Sequence, residues 1–513
     1  MVCCLSVTGI LLGILALGLA HFWFSRQKKF TYWEKRGVQT PGKLNLLFGS
    51  LWGAWSKRNF YEDIEHRNKC GKFYGFYEGT KPVFIVSDLE AIRDVLVKEF
   101  DSFAERRDIK ITMPVWRKFL TFLRGEEWKE TRAAVTPVFS SGKIKRMSSF
   151  MTACGDSLVQ RLEKQLEVSP ILELKGNLRS FAMDAIAKCV FATDIQDLDD
   201  PENVFVKNAR EISERSAKGS NSILNLLFTL MPGAFVTWLI KVMPNSAMKQ
   251  FDFFIDAVRN LVENHKKAPQ DQGATDFISL LLEQMKEDES GRKNNFLDEE
   301  SIIAQSLIFF VAGFENIAAA LCVASFHLAK YQHVQEKLLE EIRRVEEAAI
   351  KEKDFKRGDK WSYSMYAQVV YADQIISESL RLYPVGAWLE RIATKETKLC
   401  GIELEKGTLI RIPVYAVHHD EEIYPDPEVF NPDRFSAAHK DERPAYAFLP
   451  FGQGPKNCIG MRFAQHEMNV ALIHLAKNFK INLVSENDNL DFPPGFMMAL
   501  NPREVKVKLS KRS

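Results

Sequence analysis

The sequence has almost no net charge. Its 69 lysines and arginines nearly balance 67 aspartates and glutamates, for a formal charge of +2, which leaves no electrostatic case for nucleic acid as a partner. Cysteine is sparse and unpatterned: Cys3, Cys4, Cys70, Cys154, Cys189, Cys322, Cys400 and Cys458 form no CxxC and no compact framework. That scatter fits a reducing compartment and excludes the cysteine-rich zinc spacings. The histidines include neither HExxH nor a paired HxxxH. His418 and His419 are adjacent, would face opposite sides in a strand, and read as structural. No repeat or low-complexity spacer divides the chain after Thr40-Pro41-Gly42, so one compact body over 43–513 is expected.

Charge is also missing locally, from Val2 to Phe24. That run matches the ~20 residues needed to cross a bilayer as a helix. Arg26, Lys28, Lys29, Lys35 and Arg36 follow at once and nothing basic precedes it. The pattern predicts an uncleaved transmembrane anchor over 1–25, a basic linker over 26–42 and a cytosolic body. A cleaved signal peptide competes, since Gly18-Leu19-Ala20 could pass for a cleavage site, but the run is long and its start lacks positive charge. Cys3 and Cys4 are candidates for palmitoylation. A second apolar stretch, 223–244, is interrupted by Pro232-Gly233 and charged by Lys241. Two short helices at a bilayer or over an apolar pocket, and an ordinary buried pair, explain it equally well.

What is present is chiefly helical. "FYGFYEG" and "PVFIVS" read as short strands, "DLEAIRDVLVKEF" as a helix, and helical periodicity dominates from 126 to 380. Strand signals return over 389–415 and 479–509. The expected fold class is mainly α with small peripheral β-sheets, without the regular βαβ alternation of a nucleotide-binding fold. Hydrophobic residues make up 46% of the chain and phenylalanine is abundant at 37 residues; core packing explains most of that, and an apolar ligand gains only weak support.

The stretch "FGQGPKNCIG" (451–460) places Cys458 on a glycine-rich turn just before a helical segment. Its glycines remove side chains and would let a flat object approach the backbone. A helix N-terminus favours a thiolate, which serves as a nucleophile or a metal ligand, while an inert buried cysteine is the ordinary alternative. Gly452 and Gly454 begin a GxG, but no dinucleotide-binding context follows.

Phe451, Gly454, Lys456, Cys458 and Gly460 match Phe-x-x-Gly-x-basic-x-Cys-x-Gly, which resembles the haem-binding loop of the cytochrome P450 superfamily. "WKETRAAVTPVFSSGKIKRM" (128–147, read as one helix), "ESLRLYPVGAWLERI" and "NPDRF" support it in family order, so the resemblance covers about 40–508. They look most like the animal clan of drug-metabolising microsomal enzymes and thromboxane synthase. The resemblance implies the P450 fold, with haem b (iron protoporphyrin IX) as cofactor and Cys458 as its metal ligand. Phe451 would pack beside the ligand and Gly460 would admit the porphyrin. Trp128, Arg132, Arg391 and Lys456 match propionate-contacting positions. Lys456 departs from the commoner arginine and offers a point charge instead of a fork. Glu378 and Arg381, with Arg434, match a buried Glu-Arg-Arg network that locks the cysteine loop.

One departure concerns the distal helix, where the family places Ala-Gly-x-acid-Thr and this chain has Ala312, Gly313, Phe314, Glu315 and Asn316. The acid is kept and the hydroxyl is lost. A threonine hydroxyl accepts and donates within one proton relay, whereas an amide positions water without readily passing a proton on. The expected function is a haem-thiolate monooxygenase that inserts one oxygen atom from O2 into an apolar substrate (xenobiotic, steroid or fatty acid). Glu315 and Asn316 would handle protons and water. By analogy Trp116, Phe119, Phe122, Phe309, Phe314, Ala387, Trp388, Phe496 and Met497 are candidate pocket residues.

The resemblance further implies the endoplasmic reticulum membrane, with electrons from NADPH through its reductase and with cytochrome b5 as a second candidate donor. Lys129, Lys143, Lys145, Arg146 and Lys456 are candidates for the docking surface. A reductase-independent lipid hydroperoxide isomerase or dehydratase, and a non-catalytic haem sensor, are the alternatives.

Overall fold

In the computed structural model the described residues are 2–512 except 53–58, 108–113, 192–202, 220–245, 268–276, 286–296, 357, 487 and 495–498. The apolar stretch 223–244 and the pocket candidates Phe496 and Met497 therefore lie outside the described residues, as do the side chains of Cys3 and Cys4.

Helices dominate, and three small sheets sit at their margin. In chain order the strands are β1 (Phe73–Glu78), β2 (Lys81–Val86), β3 (Ile171–Glu173), β4 (Leu389–Ile392), β5 (Thr397–Leu399), β6 (Ile402–Leu404), β7 (Leu409–Ile412), β8 (Phe479–Leu483) and β9 (Lys506–Lys511). β1 and β2 form a hairpin; β7 joins β2 in parallel and β4 closes the edge antiparallel, giving the order β1-β2-β7-β4. A second sheet runs β3-β9-β8 and a third pairs β5 with β6.

The core is organised around the helix Glu299–Lys330, apolar along most of its length and buried from Ser301 to Leu307 and from Ile317 to Ala329. It packs on the helices Leu174–Phe191, Ser246–Lys267, Val370–Leu382 and Met461–Asn478. It is apolar and long enough by hydropathy to cross a membrane, and its burial marks it as a core helix. At Gly313 a Cβ would stand 2.1 Å from the Ile186 side chain, so glycine permits the close approach of Leu174–Phe191.

Two local expectations need correction. The helix expected over 128–147 is two helices, Gly125–Val135 and Ser141–Leu166, joined by a 3-10 turn at Thr136–Phe139. Pro137 has no N–H to donate, which breaks the α ladder there. His418 and His419 do not lie on a strand. β7 ends at Ile412, before Pro413, and both histidines are buried at the end of the helix Val414–His418.

At the N-terminus a helix spans Val2–Phe30. Where described it exposes apolar side chains, among them Leu17 at 73% and Phe24 at 66%. The chain then turns into the body: Trp33 is fully buried and stacks on Phe84 with centroids 5.4 Å apart.

Candidate active site

The loop before the helix Met461–Asn478 is held by its own backbone. Gly452 N–H donates to Leu449 O at 3.0 Å, Asn457 N–H to Gly454 O at 3.0 Å, and Cys458 N–H to Phe451 O at 2.8 Å. Gly454 has φ +74°, and a Cβ there would lie 2.0 Å from the carbonyl oxygen of Leu96. Gly460, the residue before the helix, has φ −86° and nothing closer to an added Cβ than the Phe139 ring at 3.9 Å. The first glycine is fixed by the protein itself, while the second leaves space that the protein does not fill.

Cys458 presents accessible surface, but most of its surroundings are protein. Burial pushes its thiol upward, and the Gly460 amide with the Arg132 and Arg106 guanidiniums opposes this without overcoming it. The thiolate expected from the helix N-terminus is thus not favoured by the polypeptide alone; a metal cation on the sulfur would supply the missing stabilisation.

The residues proposed around that sulfur do converge. Arg132 donates to Asn457 O at 3.0 Å and to its side-chain oxygen at 2.9 Å. Lys456 lies with Nζ 4.5 Å from the centre of the Trp128 ring. Trp128 and Arg132 therefore share the helix face that meets the loop. Arg391, on β4, donates to Glu390 O at 2.8 Å, while its Nε is buried without a partner. Lys456 is 4% exposed, and the one carboxylate paired with it among the described residues, Glu105, stands 4.0 Å away. Burial and adjacent guanidiniums lower Lys456 to about 8 and Arg391 to about 9.

A buried cluster of cations with so little carboxylate around it is costly unless an anion joins it. Haem fits this donor set: a soft sulfur ligand, an uncrowded glycine, and cations suited to two propionates.

Arg106 completes the cluster and was not legible in the sequence. It donates to Lys456 O at 2.7 Å and lies close enough to Arg132, Arg391 and Cys458 to influence each. The only signal was the pair Arg106-Arg107. Arg107 is consumed by ion pairs to Glu78 (2.6 Å) and Glu390 (2.7 Å), leaving its neighbour for another role.

Asn316 and Ala312, four apart on the central helix, are both exposed, while Phe314 and Ile317 are buried. This bare face lies in the helix stretch joined to the cysteine loop through aromatics. Phe309 packs on Phe139 with centroids 4.7 Å apart, and Phe139 is the ring next to Gly460. Glu315 is engaged elsewhere: Oε2 accepts from Arg179 Nε at 3.0 Å, and Oε1 accepts from Arg179 (3.3 Å) and from the Asn501 amide. Of the candidate pocket residues, Phe119, Phe314, Ala387 and Trp388 are buried in the core, while Trp116, Phe122 and Phe309 are half-buried.

Glu378 and Arg381 are fully buried and paired through two hydrogen bonds of 2.7 and 2.8 Å; Arg434 stands 3.5 Å from Glu378. His418 links this network to the cysteine loop. Its Nδ1–H donates to Arg381 O at 3.1 Å and its Nε2 accepts from Leu449 N–H at 2.9 Å. That arrangement needs a neutral ring, and burial indeed pushes His418 well below the usual imidazole range.

Comparison with known proteins agrees with this geometry. Residues 40–509 match the family model described as Cytochrome P450. Cytochrome P450 3A29 of Sus scrofa is 32% identical over 479 residues, covering 92% of this chain and 91% of the relative. Cytochrome P450 3A16 of Mus musculus is 33% identical over 459 residues, 88% of this chain and 87% of the relative. Cytochrome P450 3A40 of Oryzias latipes is 30% identical over 491 residues, 94% of each. The chain belongs to the cytochrome P450 family, the haem monooxygenases.

Proposed function

We propose that this enzyme is a membrane-anchored monooxygenase acting on an apolar substrate, a xenobiotic, steroid or fatty acid, with electrons from NADPH delivered by the reductase of the endoplasmic reticulum membrane. The observation that carries the site assignment is the convergence of Cys458 with Arg106, Arg132, Arg391 and Lys456. Haem bound there supplies the oxygen activation and insertion.

The chain's own residues do the rest. Cys458 holds the metal, and the Gly460 amide with Arg106 and Arg132 favours charge on its sulfur. Trp128, Arg132, Arg391, Lys456 and Arg106 hold the propionates, and Phe451, whose carbonyl accepts from Cys458 N–H, keeps the sulfur oriented. Asn316 carries both a donor and an acceptor on the bare face of the central helix and holds water there. Glu315 must part from Arg179 before it can pass a proton toward Asn316, so that ion pair sets the proton supply.

The exposed apolar surface over 14–24 supports the membrane anchor, with the body on the cytosolic side of the endoplasmic reticulum. For reductase docking, Lys129, Lys145 and Arg146 are exposed and Lys143 is half-exposed, but Lys456 is buried and drops out of that surface. Cytochrome b5 is a second donor for the same surface.

The test is the spectrum of the reduced, carbon monoxide-bound protein, followed by NADPH-coupled product formation with reductase. A thiolate-type Soret band lost in Cys458→Ser, together with product, supports the reading. Turnover of a lipid hydroperoxide without NADPH, and no NADPH-coupled product, would instead make the chain an isomerase or dehydratase. Such an enzyme draws both oxygens from its substrate and does not need the lost threonine.

A further inference from the structure

A solvent-connected cavity of about 550 Å3 lies between the helices Ser141–Leu166, Leu174–Phe191 and Val204–Gly219, and the P450 chemistry described above makes no use of its lumen. Four cationic side chains line it: Arg161, Lys164, Arg179 and Arg210. Glu173, the one lining carboxylate among the described residues, is already committed, accepting from the backbone N–H groups of Lys175 (2.8 Å), Gly176 (2.9 Å) and Val505 (3.3 Å). Arg210 makes no ion pair among the described residues. Like charges sharing one concavity raise its potential and draw in an anion, and the size is that of a small-molecule site. Met183 and Val206 add an apolar flank.

Arg179 makes this cavity more than a basic patch. It lines the lumen and also pairs with Glu315 on the central helix. A dianion in the lumen competes with Glu315 for that guanidinium. We propose that this cavity is an effector site for a soluble organic anion, a phosphate monoester with a compact apolar body, whose binding draws Arg179 away from Glu315 and so loosens the carboxylate, still bonded to the Asn501 amide, for proton transfer. The coupling half rests on the role given above to Glu315; the binding half does not.

The probe is 1-naphthyl phosphate, titrated calorimetrically into the full-length haem-loaded enzyme at low ionic strength, where screening is weakest. Removing two charge-assisted partners in Lys164→Gln/Arg210→Gln is expected to weaken binding at least about tenfold. Neither residue touches the catalytic site, so basal turnover and the spectrum stay as in the wild type. Product formation is expected to rise with occupancy in the wild type and to show no response to the probe in Glu315→Gln. Equal affinity in the double variant, or no binding to the wild type, overturns the site. Binding that depends on Arg210 without any change in turnover overturns the link to Glu315. The calorimetric readout needs no turnover, so failure of the monooxygenase reading is seen separately, as a missing thiolate band or missing product.

Discussion

The two glycines flanking Cys458 separate what the polypeptide requires from what its cofactor requires. At Gly454 an alanine would be forced into the left-handed region at φ +74° and would bring Cβ 2.0 Å from the Leu96 carbonyl oxygen, with Val97 a further neighbour at 3.3 Å. The conformation alone costs ~1–2 kcal/mol. The clash is with backbone that cannot rotate away, so the loop or the Leu96 segment must move, and the total should reach ~3 kcal/mol or more. At Gly460, φ −86° suits any residue and the nearest atom to a new Cβ is 3.9 Å away. Alanine there should leave the protein's stability within ~1 kcal/mol of wild type, with a gain as plausible in sign as a loss because the unfolded chain loses freedom.

If Gly460 is small to admit a porphyrin, the two variants fail differently. Urea unfolding of the apoprotein should show Gly454→Ala strongly destabilised and Gly460→Ala near wild type. Haem titration followed by the carbon monoxide spectrum should show reduced loading or a lost thiolate band in Gly460→Ala. Normal haem loading by Gly460→Val, which adds still more bulk, would refute the idea that the porphyrin lies against this residue. Wild-type stability in Gly454→Ala would refute the constraint deduced from Leu96.

Further outcomes follow from other sites. Arg391→Leu removes a buried cation whose Nε has no partner, so the apoprotein should be no less stable while haem retention falls; destabilised apoprotein with normal retention would give Arg391 a structural role. Glu378→Ala leaves Arg381 charged at 0% exposure and should cost ~3–5 kcal/mol in urea unfolding; a loss below ~1 kcal/mol would contradict a buried, unrelieved charge. Acid should destabilise the fold. His327 is lowered to about 3 and His419, His466 and His474 to about 4, each chiefly by burial. Unfolded histidine titrates near 6.5, so between about pH 6.5 and 4 the unfolded chain binds more protons and stability falls with pH by up to ~1.4 kcal/mol per unit per histidine. Asp63, raised to about 7, and Glu467, raised well above the usual carboxyl range, both chiefly by burial, keep their protons in the fold across that range and work in the opposite direction. Urea midpoints measured across pH 4–7 should still fall toward acid, and a flat profile would mean these rings are not buried neutral. Asn316→Thr restores the hydroxyl and should raise product formed per NADPH; unchanged coupling would show that water at Asn316 already suffices.

Much of the fold was legible because it depends on local patterns. The strands at "FYGFYE" and "KPVFIV", the long apolar helix around Gly313 and the Glu378-Arg381 pair follow from periodicity and spacing alone. The breaks were harder to see. Pro137 lies inside a run whose pattern reads as one helix, and the β-branched neighbours of His418 read as strand over what folds as a short helix. In the site, Cys458, Trp128, Arg132 and Lys456 lay on recognisable motifs. Arg106 did not, since a lone arginine in a loop carries no mark of what it will meet.

The sequence by itself determined the chemistry on offer: one cysteine on a glycine turn before a helix, an acid and an amide in place of acid and hydroxyl, and a helix-spaced glutamate and arginine. These are matters of composition over short spans, where bonded geometry fixes which residues share a face. Tertiary structure alone decided which charges go uncompensated. Arg106, Arg132, Arg391 and Lys456 come from four separate segments, and Glu315 finds Arg179 across 136 positions of chain. Packing brings such groups together at long range, and no local pattern records the field they create.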